Sequence, residues 1–85
     1  MKYLVLTERT SQFDPACLDA HYAFLTKLST DGLLEQAGGF TDKSGGAYVL
    51  TVDSRADAEA IIAKDPVFTS GSSSLTLREW NAKIY

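Results

Sequence analysis

Two residues of this chain have the chemistry and the spacing of an acid–base pair: His21, its only histidine, and Asp65. His21 lies three residues after Leu18 and four before Leu25, within the apolar face of a predicted helix. Asp65 lies four residues after Ile61 and continues the apolar face of a second predicted helix. A carboxylate bonded to one ring nitrogen of a histidine fixes the tautomer and raises the basicity of the other nitrogen. The two residues therefore indicate a general acid or base.

Each of these residues also has a structural explanation, and the sequence leaves the choice open. A single histidine on an apolar helix face is more often packed in a core than catalytic, and Asp65 could simply cap the turn that follows it. Cys17 precedes His21 by four residues, so both can lie on one side of the helix. Cys17 could be a nucleophile activated by the histidine, or a small packed apolar residue.

Other residues could line a pocket beside this pair. Tyr22, Tyr48 and Phe68 are candidates, although aromatic residues at such spacings more often belong to a core. Gly38, in the turn that it forms with Gly39, is expected at the rim of the pocket. Tyr22, Gly38 and Phe68 are the residues predicted to contact a substrate.

Composition argues against several classes of protein. The 85 residues are 45% apolar, which predicts one folded domain spanning residues 1–85. A net charge of −3 with only 8 Lys and Arg residues argues against nucleic-acid binding, and no apolar run approaches the ~20 residues of a membrane span. One histidine and one cysteine make no metal-ligand cluster, and the glycine pairs lack the spacing of a phosphate-binding loop, so no cofactor is predicted. The single cysteine, without a partner for an internal disulfide, favours a cytoplasmic location.

Apolar periodicity and turn residues predict six elements in the order β-α-β-β-α-β. The first helix is predicted over residues 15–30, with Asp14 as its cap and Gly32 as its end. The second begins at Ser54 and ends before Pro66. The predicted strands span residues 3–8, 33–37, 47–53 and 75–80, and residues 67–73 are predicted to be a loop.

This order of elements is that of a ferredoxin-like α+β fold, a four-stranded antiparallel sheet with both helices on one face. The strand over residues 47–53 is apolar on both sides, with Ala47 and Val49 facing one way and Tyr48 and Leu50 the other. A sheet covered on only one face should alternate more clearly between apolar and polar residues. The second face is therefore predicted to meet the same face of another copy, in a homodimer.

The ordered segments of the chain resemble the YCII-related (YciI-like) family over nearly its whole length. They comprise a short hydrophobic first strand, His21 early in the first helix, Asp31-Gly32-Leu33-Leu34, Ala37-Gly38-Gly39, the strand over residues 47–53, Asp65-Pro66-Val67-Phe68, Gly71 and Arg78-Glu79-Trp80. The family usually has Ala-Gly-Pro where this chain has Ala37-Gly38-Gly39, so the identity of a substrate is not carried over.

The resemblance implies a ferredoxin-like domain that dimerises face to face into an α/β barrel. It also implies that the proposed active-site histidine and aspartate of the family are His21 and Asp65. Most members have no assigned reaction. Related members act as dehydrochlorinases on chlorinated aromatic ring-cleavage or hydroquinone intermediates, and the wider superfamily includes muconolactone isomerases.

Two functions are compatible with these residues. The first is a small cytoplasmic enzyme that needs no cofactor and moves a proton of a small substrate, such as a lactone or a hydroxylated aromatic, in an elimination or isomerisation. His21 would be the acid or base, and Asp65 would orient it. The second is a non-catalytic module that binds a small ligand or serves as an accessory oligomerisation domain, in which His21 is structural.

Overall fold

The protein is a four-stranded sheet with helices packed on one face, in a computed structural model that describes residues 1–85. The strand order is β2-β3-β1-β4, and each neighbouring pair is antiparallel. This is the predicted ferredoxin-like βαββαβ arrangement, and the α+β fold is confirmed. The elements are β1 (Lys2–Arg9), α1 (Leu18–Thr30), β2 (Leu34–Gly39), β3 (Gly45–Thr51), α2 (Arg55–Ile62), α3 (Pro66–Thr69) and β4 (Ser73–Trp80).

The first helix begins one turn later than predicted and ends where predicted. Asp14 Oδ1 accepts a hydrogen bond from the Ala16 amide at 2.9 Å, but residues Pro15–Cys17 form a 3-10 turn before the α-helix starts. Such tight turns are frequent at helix starts. At the other end Gly32 takes a φ of +77°, and the amide of Leu33 donates to the Leu28 carbonyl. A glycine in this conformation is the usual end of a helix.

The second predicted helix is in fact two helices. Ser54 caps α2 by accepting a hydrogen bond from the Asp57 amide at 3.1 Å, and α2 ends at Ile62. Asp65 is extended, with φ −65° and ψ 124°, because the residue before a proline is driven out of the helical region. The short α3 then starts at Pro66, within the segment predicted to be a loop. The prediction that Asp65 is the last inward residue of the second helix is therefore wrong, and Asp65 instead caps the next one.

The strands extend further into glycine and serine segments than their β-propensity suggests. β2 continues to Gly39 and β4 begins at Ser73, two residues beyond each predicted bound, while β3 spans Gly45–Thr51 rather than residues 47–53. Pairing with the neighbouring strands decides these bounds, because strand propensity depends strongly on context.

The two faces of the sheet differ in what covers them. The face toward the helices carries the buried core, which includes Tyr3 and Val5 of β1 and Leu50 of β3, with Leu28 of α1 and Ala58 of α2 packed against them. None of the helices is both long and apolar enough to cross a membrane.

The opposite face of the sheet, here called the outer face, carries apolar residues at its centre. Leu4 pairs with Val49, and Leu6 pairs with Ala47. No helix covers them, since α1 and α2 pack on the other side.

Candidate active site

Asp65 is the centre of a hydrogen-bonded group that three elements hold together. Its side chain is completely buried. Oδ1 accepts from the Val67 amide at 3.0 Å and lies 2.7 Å from His21 Nδ1, while Oδ2 accepts from the Tyr48 hydroxyl at 2.8 Å. A buried carboxylate is strongly disfavoured unless donors surround it, and these three supply that environment.

His21 turns one nitrogen toward Asp65 and leaves the other free. An ionised carboxylate can only accept, so the tautomer that suits this contact carries its proton on Nδ1 and leaves Nε2 as the free nitrogen. Every buried side-chain nitrogen and oxygen of the protein has a hydrogen-bond partner. Nε2 has none, so it is not buried and is in contact with solvent. The side chain of His21 is 13% exposed. A nearly buried imidazole with one oriented, reachable lone pair has the geometry of a general base.

Tyr48 holds the carboxylate from the sheet side. It projects from β3 toward the helices and is 2% exposed. Burial, the negative charge of Asp65 and the hydrogen bond to it all raise the pKa of Tyr48 well above its ordinary value. The hydroxyl therefore stays protonated and acts as a fixed donor. A buried tyrosine hydroxyl usually has a hydrogen-bond partner, and this rule could have predicted the role of Tyr48. From the sequence, Tyr48 was predicted only as a candidate pocket residue.

A cavity of about 190 Å³ lies beside His21, between α1 and the sheet. Gly39 of β2 pairs with Gly46 of β3, and Gly46 pairs with Thr7 of β1, so all three face the helices. At Gly46 a Cβ would collide with the backbone carbonyl of Gly38, so only glycine allows the two strands to approach this closely. At Gly39 a Cβ would have only the Gly45 carbonyl within 4 Å, so this glycine leaves open a space that a side chain would fill. For comparison, an apolar protein cavity of ~150 Å³ can hold benzene.

The residues predicted to contact a substrate are only partly brought together. Tyr22 and Gly38 line the cavity, but Phe68 does not, and its neighbour Val67 does. Tyr22 is 57% exposed and so lies at the edge of the apolar face of α1 rather than within it; its ring centre is 5.7 Å from that of His21. Cys17 is buried and does not line the cavity, so the structure does not place a thiol beside the histidine there.

One charged residue of the cavity was not predicted from the sequence. Arg9, at the end of β1, lines the cavity together with His21. An arginine at a strand end carries no recognisable signal in one sequence, because its partners come from other elements. The structure brings together no three His, Cys, Asp or Glu side chains that could hold a metal ion.

Comparison with known proteins identifies relatives in both sequence and fold. A profile of the YCII-related domain matches residues 1–81. An uncharacterised protein of Bacillus subtilis (strain 168), YjpA, is 44% identical over 81 residues, which are 95% of each chain.

Solved structures share the fold at low sequence identity. A 5-chloro-2-hydroxyhydroquinone dehydrochlorinase from Burkholderia phenoliruptrix AC1100, in complex with 2,5-dihydroxybenzoquinone, superposes with a TM-score of 0.75 at 16% identity. The superposition covers 98% of this chain and 96% of that one. A hydroxynitrile lyase from Passiflora edulis is a more distant match, with a TM-score of 0.47 at 16% identity over 99% and 95% of the two chains.

Proposed function

This chain belongs to the YCII-related domain family, and from that premise we propose that it is an acid–base enzyme that moves a proton of a small organic substrate without a cofactor. The observation that carries the proposal is the 2.7 Å contact between His21 Nδ1 and the buried Asp65, beside a cavity. His21 and Asp65 are the proposed catalytic pair. Tyr22 and Gly38, which line the cavity, are the proposed substrate contacts.

The proposed reaction starts with the neutral imidazole. Nε2 of His21 takes a proton from an acidic C–H or O–H group of the substrate, and the electron pair stays on the substrate. The imidazolium that forms is stabilised by the negative charge of Asp65. The proton then returns to another atom of the substrate in an isomerisation, or leaves to solvent after a leaving group departs in an elimination. Tyr48 and the Val67 amide keep the carboxylate in place throughout.

The first candidate substrates are substituted hydroquinones and unsaturated lactones. The dehydrochlorinase of similar fold acts, by its name, on a chlorinated hydroxyhydroquinone, and its structure contains 2,5-dihydroxybenzoquinone. Such rings carry acidic protons and a leaving group, so a single general base without a cofactor can start their reaction. A single ring also suits a cavity of this size.

The direct test is turnover of these compounds by the parent protein, His21→Ala and Asp19→Asn. Loss of a general base is expected to reduce kcat by about 10²–10⁴-fold. Asp19 is exposed on the same helix and serves as the control, with unchanged turnover expected. A substrate that His21→Ala converts at the parent rate would rule the proposal out.

A second test needs no substrate. Diethyl pyrocarbonate acylates the free nitrogen of a neutral imidazole, and the single histidine makes the absorbance change unambiguous. We expect rapid acylation of the parent and slower acylation of Asp65→Asn, because the carboxylate makes Nε2 the stronger nucleophile. Equal rates would mean that Asp65 does not activate His21, and would favour the binding-module function instead.

The outer face supports a homodimer as the proposed assembly. Leu4, Leu6, Ala47 and Val49 form a continuous apolar strip across the two central strands, with no helix to cover it. Val49 is already buried in the single chain, while the other three are only partly buried. Burial of such a strip against the same strip of a second copy is favourable. The unpaired, buried Cys17 is also what a protein of the reducing cytoplasm would have, and we propose that compartment.

A further inference from the structure

We infer that Arg9 is the anion-binding residue of this cavity, so that the substrate is a small planar anion carrying a carboxylate or a phenolate. The inference rests on the proposed function and extends it to the class of substrate. It starts from the position of Arg9, which lines the same cavity as His21. Its own amide donates to the Ser44 carbonyl at 2.9 Å, and it pairs with Ser73 on β4, so the backbone that carries it is fixed on both sides.

The guanidinium of Arg9 has no anionic partner within the protein. The three ion pairs of lysine and arginine and the contact of His21 with Asp65 involve other residues, and no side-chain hydrogen bond uses the guanidinium. Its Cζ lies over one aromatic ring, 4.0 Å from the centre of Phe13. Arg9 is half-buried, and every buried side-chain nitrogen of the protein has a hydrogen-bond partner. The N–H groups of Arg9 that have no partner are therefore in contact with solvent.

The charge of the cavity is opposite to that of the whole protein. The chain has 11 Asp and Glu against 8 Lys and Arg residues, yet the cavity lining includes Arg9 and His21 and no carboxylate. Asp65 is fully buried behind His21 with three donors around it. An unpaired cation in a cavity whose lining has no carboxylate favours a negatively charged ligand.

The geometry of Arg9 also favours a particular kind of anion. The guanidinium carbon lies over the Phe13 ring, and the N–H donors make no hydrogen bond within the protein, so they are available to a ligand. A guanidinium edge matches the two oxygens of a carboxylate, or an aromatic oxygen anion lying in the same plane. A substrate held in this way by its oxygen lies in the same cavity that His21 lines.

The test uses three probe compounds and the single histidine as reporter. Benzoate supplies a carboxylate, 4-nitrophenolate at a pH above its own pKa supplies a phenolate, and benzamide is the neutral analogue of benzoate. Each is titrated into the parent, Arg9→Gln, Arg9→Lys and Arg55→Gln while the ring proton signals of His21 are followed by NMR. Arg55 is an exposed arginine on α2 whose side chain pairs with Glu59, so its substitution removes the same charge elsewhere.

We expect at least one of the two anions to shift the His21 signals and benzamide to bind more weakly. Affinity for the anion should fall about tenfold or more in Arg9→Gln, fall less in Arg9→Lys, and stay unchanged in Arg55→Gln. The anion that binds more tightly identifies the substrate group as a carboxylate or a phenolate. If Arg9→Gln does not fold, Arg9→Met keeps the aliphatic stem against Phe13 and makes the same test.

The inference is wrong if neither anion affects His21, if benzamide binds as tightly as benzoate, or if loss of the Arg9 charge leaves affinity unchanged. These outcomes are separate from those of the proposed function. Anion binding that depends on Arg9, with equal acylation of His21 in the parent and Asp65→Asn, would keep the role of Arg9 and reject the catalytic pair. Turnover that depends on His21 but not on Arg9 would keep the catalytic pair and reject the role of Arg9.

Discussion

At the scale of single residues, the chemistry of this site depends on how one buried carboxylate is surrounded. Asp65 has two oxygens and three donors, and each donor comes from a different part of the fold. The Val67 amide and His21 share Oδ1, while Tyr48 alone uses Oδ2. This division predicts what different substitutions of Asp65 do.

Asp65→Asn should preserve the geometry and remove the charge. Asn Oδ1 can keep both the Val67 amide and His21 Nδ1, while its amide group faces Tyr48, whose hydroxyl can turn to accept. Asp65→Ala instead leaves three donors without an acceptor and should lower the free energy of unfolding by about 3 kcal/mol or more. Urea denaturation measures the difference, and ¹⁵N spectra of the ring should report Nδ1–H in the parent and in Asp65→Asn. A ring protonated mainly on Nε2 in the parent would contradict the assignment of the base.

Tyr48→Phe should make stability less dependent on alkaline pH. The pKa of Tyr48 is raised in the folded protein, chiefly by burial, so the unfolded chain loses the phenol proton first. The contribution of Tyr48 is therefore complete below the ordinary tyrosine pKa of about 10 and declines as the pH rises above it. At neutral pH, loss of the hydrogen bond to Asp65 should cost about 1–3 kcal/mol.

The measurement is urea denaturation of the parent and Tyr48→Phe between neutral and strongly alkaline pH. The gap between the two proteins should narrow above pH ~10. Comparison with the parent removes the contribution of Tyr3, whose pKa is also raised by burial. A gap of constant size across this range would show that Tyr48 is not a fixed neutral donor.

At the scale of elements, the space beside His21 lies where β2 pairs with β3. β2 and β3 approach each other through glycines, and the helix-facing positions there carry no side chain. Backbone pairing, rather than strand propensity, keeps these segments in the sheet. The β2–β3 junction therefore controls access to the histidine.

Gly39→Val should fill the cavity without disturbing the sheet. Its Cβ would have only the Gly45 carbonyl within reach, at an ordinary 3.8 Å, and a branched side chain suits a strand. Gln36→Val is the matched control, because Gln36 lies on the same strand, pairs with Val49 on the outer face and does not line the cavity. Acylation of His21 by diethyl pyrocarbonate should slow in Gly39→Val and change little in Gln36→Val. Equal rates in the two variants would mean that the reagent reaches His21 by another route.

At the scale of the whole molecule, one face of the sheet is covered by its own helices, and the other face has no helix over it and is apolar at its centre. Leu6 sits at the centre of the outer face, between Ala47 of β3 and Thr76 of β4. It does not belong to the buried core on the other side. The outer face can therefore be altered without removing the packing that stabilises one subunit.

Leu6→Glu should convert the proposed homodimer into folded monomers. A charge placed in an apolar interface is left without a partner and opposes association. Sedimentation velocity of the parent should give the mass of two chains and that of Leu6→Glu the mass of one, with an unchanged circular dichroism spectrum. Ala63→Glu, at an exposed position just after α2, is the control and should stay dimeric. A parent that sediments as a monomer would rule the dimer out.

The sequence alone determined the order of the four strands and two main helices, though not the short α3, and it determined the residues that carry polar chemistry on apolar faces. Asp14, Gly32 and Ser54 act through contacts with residues close to them in the chain, so their effects on helix ends are visible locally. His21 and Asp65 stood out because a titratable side chain interrupts each apolar pattern. The family resemblance then agreed with the same two residues.

Only the tertiary structure decided how these residues are used. Asp65 lies between two helices rather than inside one, because Pro66 breaks the pattern that periodicity continues. The Tyr48 hydroxyl, the unpaired Arg9 and the glycine-lined cavity depend on strands far apart in sequence being placed side by side. A single sequence fixes which groups are present, but long-range pairing sets the distances between them, and those distances determine which groups can share a proton or an anion.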